Sequence, residues 1–380
     1  MEALGESRAT TVLAVAHQFA LGFGGVPESI LLLARELRAR GLAMDVLSKD
    51  GLVRDAGGLP GLPPRGSRPS LGQLVDLDLT RYRAIFVAGA WNPMALLVAS
   101  RARSRGIRIV YSPKGNLARE EFRRLRDLKK FPYLATAELA LMTLSDRIIY
   151  SSVLERRNSL LSSLFAAKSN VIPEPFLGPE LSGGRANRGK TVRFGFMAEI
   201  APRKGLAELV AAFVTWLQLE RPDAELHIAG EPRPASEQYL EDIRRVGEAE
   251  TQRGHIVWRG PLRADARDRF YEEIDFFVCP TRFESFGLTP LEALWHGTPV
   301  MVTHNLGVLE FISDPNFMLS LGTGSPADIL TGLRLAMRGR DAYVTAASGW
   351  RSRPCPRLSG CELAAAFAQE FDFGPLPQVG

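Results

Sequence analysis

Short, nearly continuous apolar runs alternate along this chain with longer stretches whose apolar residues recur at helical spacing. "TVLAVA" (11–16) is the first run. After "LGFGGVP", the residues Leu31, Ala34, Leu37 and Leu42 return at the spacing of one helix face, with Pro27 near the first turn and Gly41 past the end. "AMDVLS" (43–48) then reads as a parallel strand and completes a βαβ unit. Further strands are predicted at 84–89, 107–112 and 146–152, and again at 191–197, 224–230, 255–260, 275–280 and 299–303, with helical stretches between. Such alternation predicts an α/β protein with parallel sheets wound on both faces. The Gly- and Pro-rich segment 51–80 reads as a long irregular loop. "NVIPEPFLGPELSGGRANRGK" (170–190) has no period and reads as an interdomain linker, so two domains are expected, 1–175 and 176–359.

Composition supports a soluble globular protein: 380 residues leave room for two cores, and 46% are hydrophobic against 23% charged. Cys279, Cys355 and Cys361 are too scattered for a disulfide framework or metal cluster, and Cys279 reads as a buried thiol in an apolar strand. The histidines show no metal-ligand spacing, so no metal site is expected. No run reaches the roughly 18 apolar residues of a spanning helix. "MEALGESRATTVLAVA" lacks the basic start of a signal peptide. The expected location is the cytoplasm, with peripheral attachment to the inner membrane face left open.

Charge is unevenly shared. Residues 1–175 hold 25 Lys/Arg against 16 Asp/Glu, which suits an anionic partner for the first half. Residues 101–130 hold 11 basic and 3 acidic side chains. There Leu117, Phe122, Leu125, Leu128 and Phe131 share one helical face, and Arg119, Arg123, Arg126 and Lys130 the other. Two readings stand: a surface helix packed on its own domain, or a face for an anionic membrane or acceptor. Aromatics do not interleave with the basic residues, so nucleic acid is not an expected partner.

The candidate chemistry lies in "TRFESFGLTPLEALWHGTPV" (281–300), just after the strand "DFFVCP". Ligands of open α/β sheets gather outside the carboxyl ends of strands. The N–H groups near Phe286, Gly287, Leu288 and Thr289 would open a short helix there and offer an anion site. Arg203, Lys204 and Gly205 follow another strand, and Gly307 and Glu310 a third. Glu284 could equally be a solvated loop residue, and Glu292 could close a capping box with Thr289. "LGFGGVP" fails as a dinucleotide-binding turn because Pro27 stands where a third glycine belongs. Trp91 in "AGAWNP" reads as lining an acceptor site or as core packing.

"RFESFGLTPLEALWHGTPVMVT" resembles the E-x7-E signature of the family 4 glycosyltransferases, retaining enzymes of the GT-B fold, in which two Rossmann-like domains face each other across a cleft. "APRKG", "AELHIAG", "IVWRGPL" and "GVLEFI" match in order and spacing, and "GFGG", "SPKGNL", "SSVLERRN" and "NVIPEPF" extend the likeness more weakly into the first half. The resemblance implies that Lys204 and Arg203 hold a nucleotide diphosphate, and that Glu284 meets the donor-sugar hydroxyls beside backbone contacts from Phe286, Gly287 and Leu288. It also implies that Glu292 binds the ribose, and that Gly24 and Gly25 approach the diphosphate from the first domain. A helix near "CELAAAFAQEF" (about 360–375) would return to that first domain. No cofactor or metal is implied beyond the nucleotide-sugar co-substrate.

Two positions depart from the pattern. Glu199 replaces a usual arginine, with Arg203 or Arg193 expected to substitute, and Lys114 in "SPKGNL" stands for a usual histidine. Lys114 joins Lys204 and Glu284 as a candidate catalytic residue. The implied reaction is retaining sugar transfer to a saccharide or lipid-linked saccharide in polysaccharide, lipopolysaccharide or glycolipid assembly. The alternatives are a catalytically silent nucleotide-sugar binding protein and another GT-B enzyme such as an epimerase.

Overall fold

The computed structural model describes residues 10–20, 25–122, 130–176, 178, 189–232, 234–263, 265–312, 314–350 and 360–373. The chain divides into two compact units, one of residues 1–177 with 356–380 and one of residues 178–355.

The first unit carries, among the described residues, a seven-stranded sheet of β1 (Thr10–Ala16), β2 (Leu42–Ser48), β3 (Gly51–Val53), β4 (Ala84–Ala88), β5 (Arg108–Ser112), β6 (Arg147–Tyr150) and β7 (Ser169–Val171), in the order β3-β2-β1-β4-β5-β6-β7. All neighbours pair in parallel except β2 and β3. Val12, Ala14 and Phe86 pack to one face with Leu33, Leu37 and Phe367 from the helices Gly25–Arg38 and Gly360–Glu370. Leu13, Ile85 and Tyr111 pack to the other with Ala95, Val98 and Ala102 of the helix Pro93–Arg103. Both faces are covered, which is why these strands read as unbroken apolar runs. Phe86 meets Phe367 edge to face at 5.5 Å, and burying each ring contributes about 1.5–3 kcal/mol.

The second unit repeats the design with a six-stranded sheet of β8 (Val192–Met197), β9 (Ala224–Ala229), β10 (Ile256–Gly260), β11 (Phe276–Cys279), β12 (Val300–Val302) and β13 (Met318–Ser320), in the order β10-β9-β8-β11-β12-β13. Phe194 of β8 stacks on Phe276 of β11 at 5.7 Å and meets Trp216 of the helix Leu206–Glu220 edge-on. On the opposite face a side chain at Gly195 would run into Ile274 and Phe270, where the helix Asp265–Glu273 closes over the sheet. Strand order reverses between β1 and β4 in the first unit and between β8 and β11 in the second, and such switch points open the crevices where α/β sheets take ligands.

Several expectations change. The segment 51–80 is not one irregular loop: it holds β3, a tight turn at Ala56–Gly58, and a helix Leu71–Val75 with a capping box from Ser70 and Gln73. The linker does not begin at residue 170, because β7 pairs with β6 there and Ile172 and Glu174 are buried beyond it. Leu42 opens β2 rather than continuing the preceding helix. Three-residue edge strands such as β3, β7 and β13 are too short to show a period.

The predicted amphipathic helix is absent over the residues described. Leu117 is fully buried in a turn, Arg119–Phe122 is a single 3-10 turn, and helix resumes only at Phe131, which is 42% exposed. Arg123, Leu125, Arg126 and Leu128 lie outside the described residues. Glu120, Glu121 and Arg119 fill that turn, and no apolar residue of it is fully buried.

Candidate active site

Three loops are sewn together at the carboxyl rim of β8, β11 and β12. The turn Pro202–Lys204 follows β8 and ends at Gly205, whose φ of +74° is left-handed. It rests directly on Pro280, after β11, because a β-carbon at Gly205 would collide with the Pro280 carbonyl oxygen. The Arg282 N–H and the Thr281 hydroxyl both donate to the Arg203 carbonyl, at 2.9 and 3.1 Å. The loop after β12 pins the other side. The Glu284 N–H donates to the Asn305 carbonyl at 2.9 Å, and the Glu284 carbonyl accepts from Gly307 N–H at 3.1 Å. Val308 N–H donates to Phe286 at 2.8 Å. Glu284 is thus fixed by its backbone, not merely tethered.

Its carboxylate accepts a hydrogen bond from the Lys204 ammonium, and the Arg203 guanidinium stands at 3.5 Å. The side chains of Lys204 and Glu284 are 15% and 21% exposed and that of Arg203 is 39% exposed, so Arg203 is the cation open to solvent. Burial pushes the Glu284 carboxyl up, but the charges of Lys204 and Arg203 and the Lys204 hydrogen bond overcome it and hold the group below the usual carboxylate range. The Cys279 thiol beside them is pushed up to about 12 by burial, with Lys204 opposing and Glu284 adding. A thiol raised in this way stays protonated at neutral pH.

Helix Leu288–Trp295 starts next to this cluster, capped by Gly287 at φ +97° with no side-chain cap bond. A side chain at Gly287 would press on Glu284 Cγ at 3.3 Å and on Leu306 Cδ2 at 3.4 Å. The expected Thr289–Glu292 capping box does not form. The helix begins at Leu288 with Gly287 as its N-cap, so the reciprocal capping position falls on Pro290 rather than Glu292. Glu292 instead accepts from the Tyr271 hydroxyl at 2.7 Å and lies 3.4 Å from Arg267. Arg193 cannot substitute for an arginine at position 199, because it sits at the amino end of β8 and pairs with Glu225 at 3.3 Å. Arg203 is the nearer substitute, on the turn that carries Lys204.

In the first unit, Lys114 follows β5 at a left-handed φ of +53°. Its ammonium is bound by both Glu174 oxygens, at 2.7 and 2.8 Å, and its side chain is only 6% exposed. Ser29, in the helix Gly25–Arg38, donates its hydroxyl to the same carboxylate. Buried Glu155 accepts from Gly115 N–H at 2.5 Å and from Ser151 N–H and Oγ at 2.6 Å each. Glu174 and Glu155 escaped the sequence reading, the first because "NVIPEPF" read as linker. Gly25 is exposed at the helix start, and Gly24 lies outside the described residues. Trp91 adopts φ +63° after β4, held by its N–H on Glu138 at 2.6 Å. Its half-buried ring lies at 5.8 Å from both Phe122 and Tyr133.

This rim presents two cations, one carboxylate and a helix N-terminus with no side-chain cap bond, a set able to bind a diphosphate and a sugar together. Among the described residues no cluster of His, Cys, Asp and Glu has the make-up of a metal site.

Residues 191–334 match the family model "Glycosyl transferases group 1". The chain is 30% identical over 131 residues to the mannosylfructose-phosphate synthase of Agrobacterium fabrum, covering 32% of this chain and 29% of that one. It is 27% identical over 121 residues to the alpha-monoglucosyldiacylglycerol synthase of Streptococcus pneumoniae, covering 32% of this chain and 26% of that one. The matches span less than a third of either relative. Among solved structures, Anabaena HepE in complex with UDP-glucose superposes with a TM-score of 0.74 at 15% identity, over 95% of this chain and 99% of that one. The chain has the two-domain α/β architecture of the GT-B fold.

Proposed function

We propose that this protein transfers a sugar from a nucleotide-sugar donor to a saccharide or lipid-linked acceptor, with retention at the anomeric carbon, in glycan or glycolipid assembly. The observation that carries the reading is Glu284, clamped by Lys204 and Arg203 at the β8/β11 switch point beside a helix N-terminus with no side-chain cap bond. Its support is twofold: the family match covers every one of these residues, and the two curated relatives are named as synthases of a mannosyl and a glucosyl product.

In this reading Lys204, Arg203 and the N–H groups at Leu288 and Thr289 take the diphosphate. They stabilise its charge as the bond to the sugar breaks, which is where an oxocarbenium-like transition state needs help. Glu284 orients the sugar hydroxyls next to the Phe286–Leu288 backbone. Glu292 meets the ribose by exchanging its Tyr271 or Arg267 contact. Lys114 holds the 113–117 loop through Glu174, and a part for it at the departing sugar requires release from that carboxylate. The charge balance at the site is met by side chains, and the reading calls for no metal or cofactor. The protein would work in the cytoplasm, against an inner membrane face where the acceptor is lipid-linked.

Incubation with labelled UDP-, GDP- and ADP-sugars tests this. Slow donor hydrolysis, converted to transfer when acceptor is supplied, is the expected result. Release of an epimerised nucleotide sugar, or tight binding with no turnover, overturns it.

A further inference from the structure

We infer that the Lys204–Glu284 ion pair is a donor-specificity gate, in which Glu284 becomes open to sugar hydroxyls only when a diphosphate has drawn Lys204 away. The inference rests on the proposed donor site and adds a rule of selection to it: the site refuses a free monosaccharide and accepts a sugar arriving with a nucleoside diphosphate.

The argument starts from what each partner can offer. A neutral hydroxyl competing for Glu284 would replace a charge-assisted hydrogen bond with a weaker one and leave Lys204, only 15% exposed, without its counter-ion. A diphosphate reverses the balance, since it brings more negative charge than one carboxylate and ammonium is a compact point charge suited to phosphate. Lys204 can swing on its flexible stem, whereas Glu284 cannot follow, because its backbone is bonded to Asn305 and Gly307 on the β12 loop. The cation moves and the carboxylate stays at the rim.

Arg203, at 3.5 Å and 39% exposed, is free to turn to the same phosphates. Both cations sit on one turn locked by the Gly205–Pro280 contact, so the backbone need not move. The charges acting on Glu284 are those of Lys204 and Arg203, and the half-buried Cys279 thiol beside it stays protonated. Once the cations turn to phosphate, burial is left to push the Glu284 carboxyl upward, so proton uptake should accompany diphosphate binding.

Calorimetry on the full chain tests the gate. UDP, GDP and ADP are titrated first, then D-glucose, D-mannose and D-galactose with and without the nucleotide that binds. At least one monosaccharide should bind roughly tenfold or more tightly to the loaded protein, and by linkage should tighten the nucleotide by the same factor. Glu284→Gln removes the competitor for Lys204, so it should bind the nucleotide roughly fivefold more tightly and lose the sugar coupling. Lys204→Met, which leaves only the more exposed Arg203 on Glu284, should make monosaccharide binding much less dependent on nucleotide and guards against a misfolded Gln variant. Nucleotide affinity unchanged or weakened in Glu284→Gln, or equal sugar affinity with and without nucleotide, overturns the gate alone. No binding of any nucleoside diphosphate by the unaltered protein overturns both the gate and the donor site.

Discussion

Gly205 lies against Pro280 so closely that the smallest side chain would strike the Pro280 carbonyl oxygen. This contact sets how the Lys204 turn seats on the Glu284 loop. Gly205→Ala should therefore cost stability twice, through a left-handed backbone at φ +74° and through the collision. Together these come to roughly 2 kcal/mol or more. Gly254 is the control: it has φ +84° with nothing within 4 Å, so Gly254→Ala registers the backbone term alone. Urea unfolding of the two variants measures the difference. Equal losses would show that the turn is not seated by this contact.

The Glu284 carboxyl is held below its ordinary value near 4.5 by the neighbouring cations. A depressed folded-state value means that the ionised form contributes stability above about 4.5 and that this contribution is lost as pH falls through the lower folded value. The advantage of the unaltered protein over Glu284→Gln should hold from neutral pH to near 4.5 and shrink below it. Denaturant titrations at stepped pH measure this. A difference that stays flat into the acid range would mean the ion pair does not persist in solution.

Lys114 and Glu174 form a buried pair that neither residue could leave cheaply. Glu174→Leu strands an ammonium that is 6% exposed, at a cost of about 3–5 kcal/mol. Adding Lys114→Met should recover much of that loss, because it removes the stranded ammonium and leaves the Ser29 hydroxyl and the separately bonded Glu155 carboxylate as the polar groups nearby. If the folded double variant also keeps full turnover, Lys114 serves only to hold its loop. A large loss of turnover at restored stability would give it a part in the reaction.

How far the sequence could be read follows from the same residues. The inner strands announced themselves because both faces of each sheet are covered, so Val12 to Ala16 and Phe276 to Val278 are apolar without interruption. The cluster of Lys204, Glu284 and the following helix was legible as a spacing after two strand ends. Its internal pairing was not, because no pattern tells which cation a carboxylate selects. Arg193 was misread because charge alone does not reveal at which end of a strand a side chain sits. Glu174 is missed for a related reason: prolines around it signal irregular backbone, yet its carboxylate is buried on Lys114 and Ser29. Glu292 looks like a cap partner in sequence, but the N-cap is Gly287, two residues before Thr289.

The last expectation concerns the basic face of the first unit. Arg119 is exposed, Phe131 is 42% exposed, and the Lys130 ammonium lies over the Phe122 ring at 5.5 Å. Lys130 thus lies between the Phe122 ring and Glu121, and among the described residues no helix is long and apolar enough to cross a membrane. Each Lys or Arg near an anionic bilayer contributes about 1 kcal/mol, an attraction that fades beyond a Debye length. Several acting together would give reversible adhesion and would bring the protein to where a lipid-linked acceptor lies. Cosedimentation with anionic but not neutral vesicles is expected, reversed by high salt. Replacing Arg119, Arg123, Arg126 and Lys130 by Glu should abolish it while leaving donor hydrolysis unchanged, since none of the four belongs to the donor site. Lys130→Glu also removes the Lys130–Glu121 contacts, so folding of the variant is checked by its melting temperature. Absence of binding to anionic vesicles at low salt would leave this face as ordinary protein surface and direct the search for the acceptor to soluble saccharides.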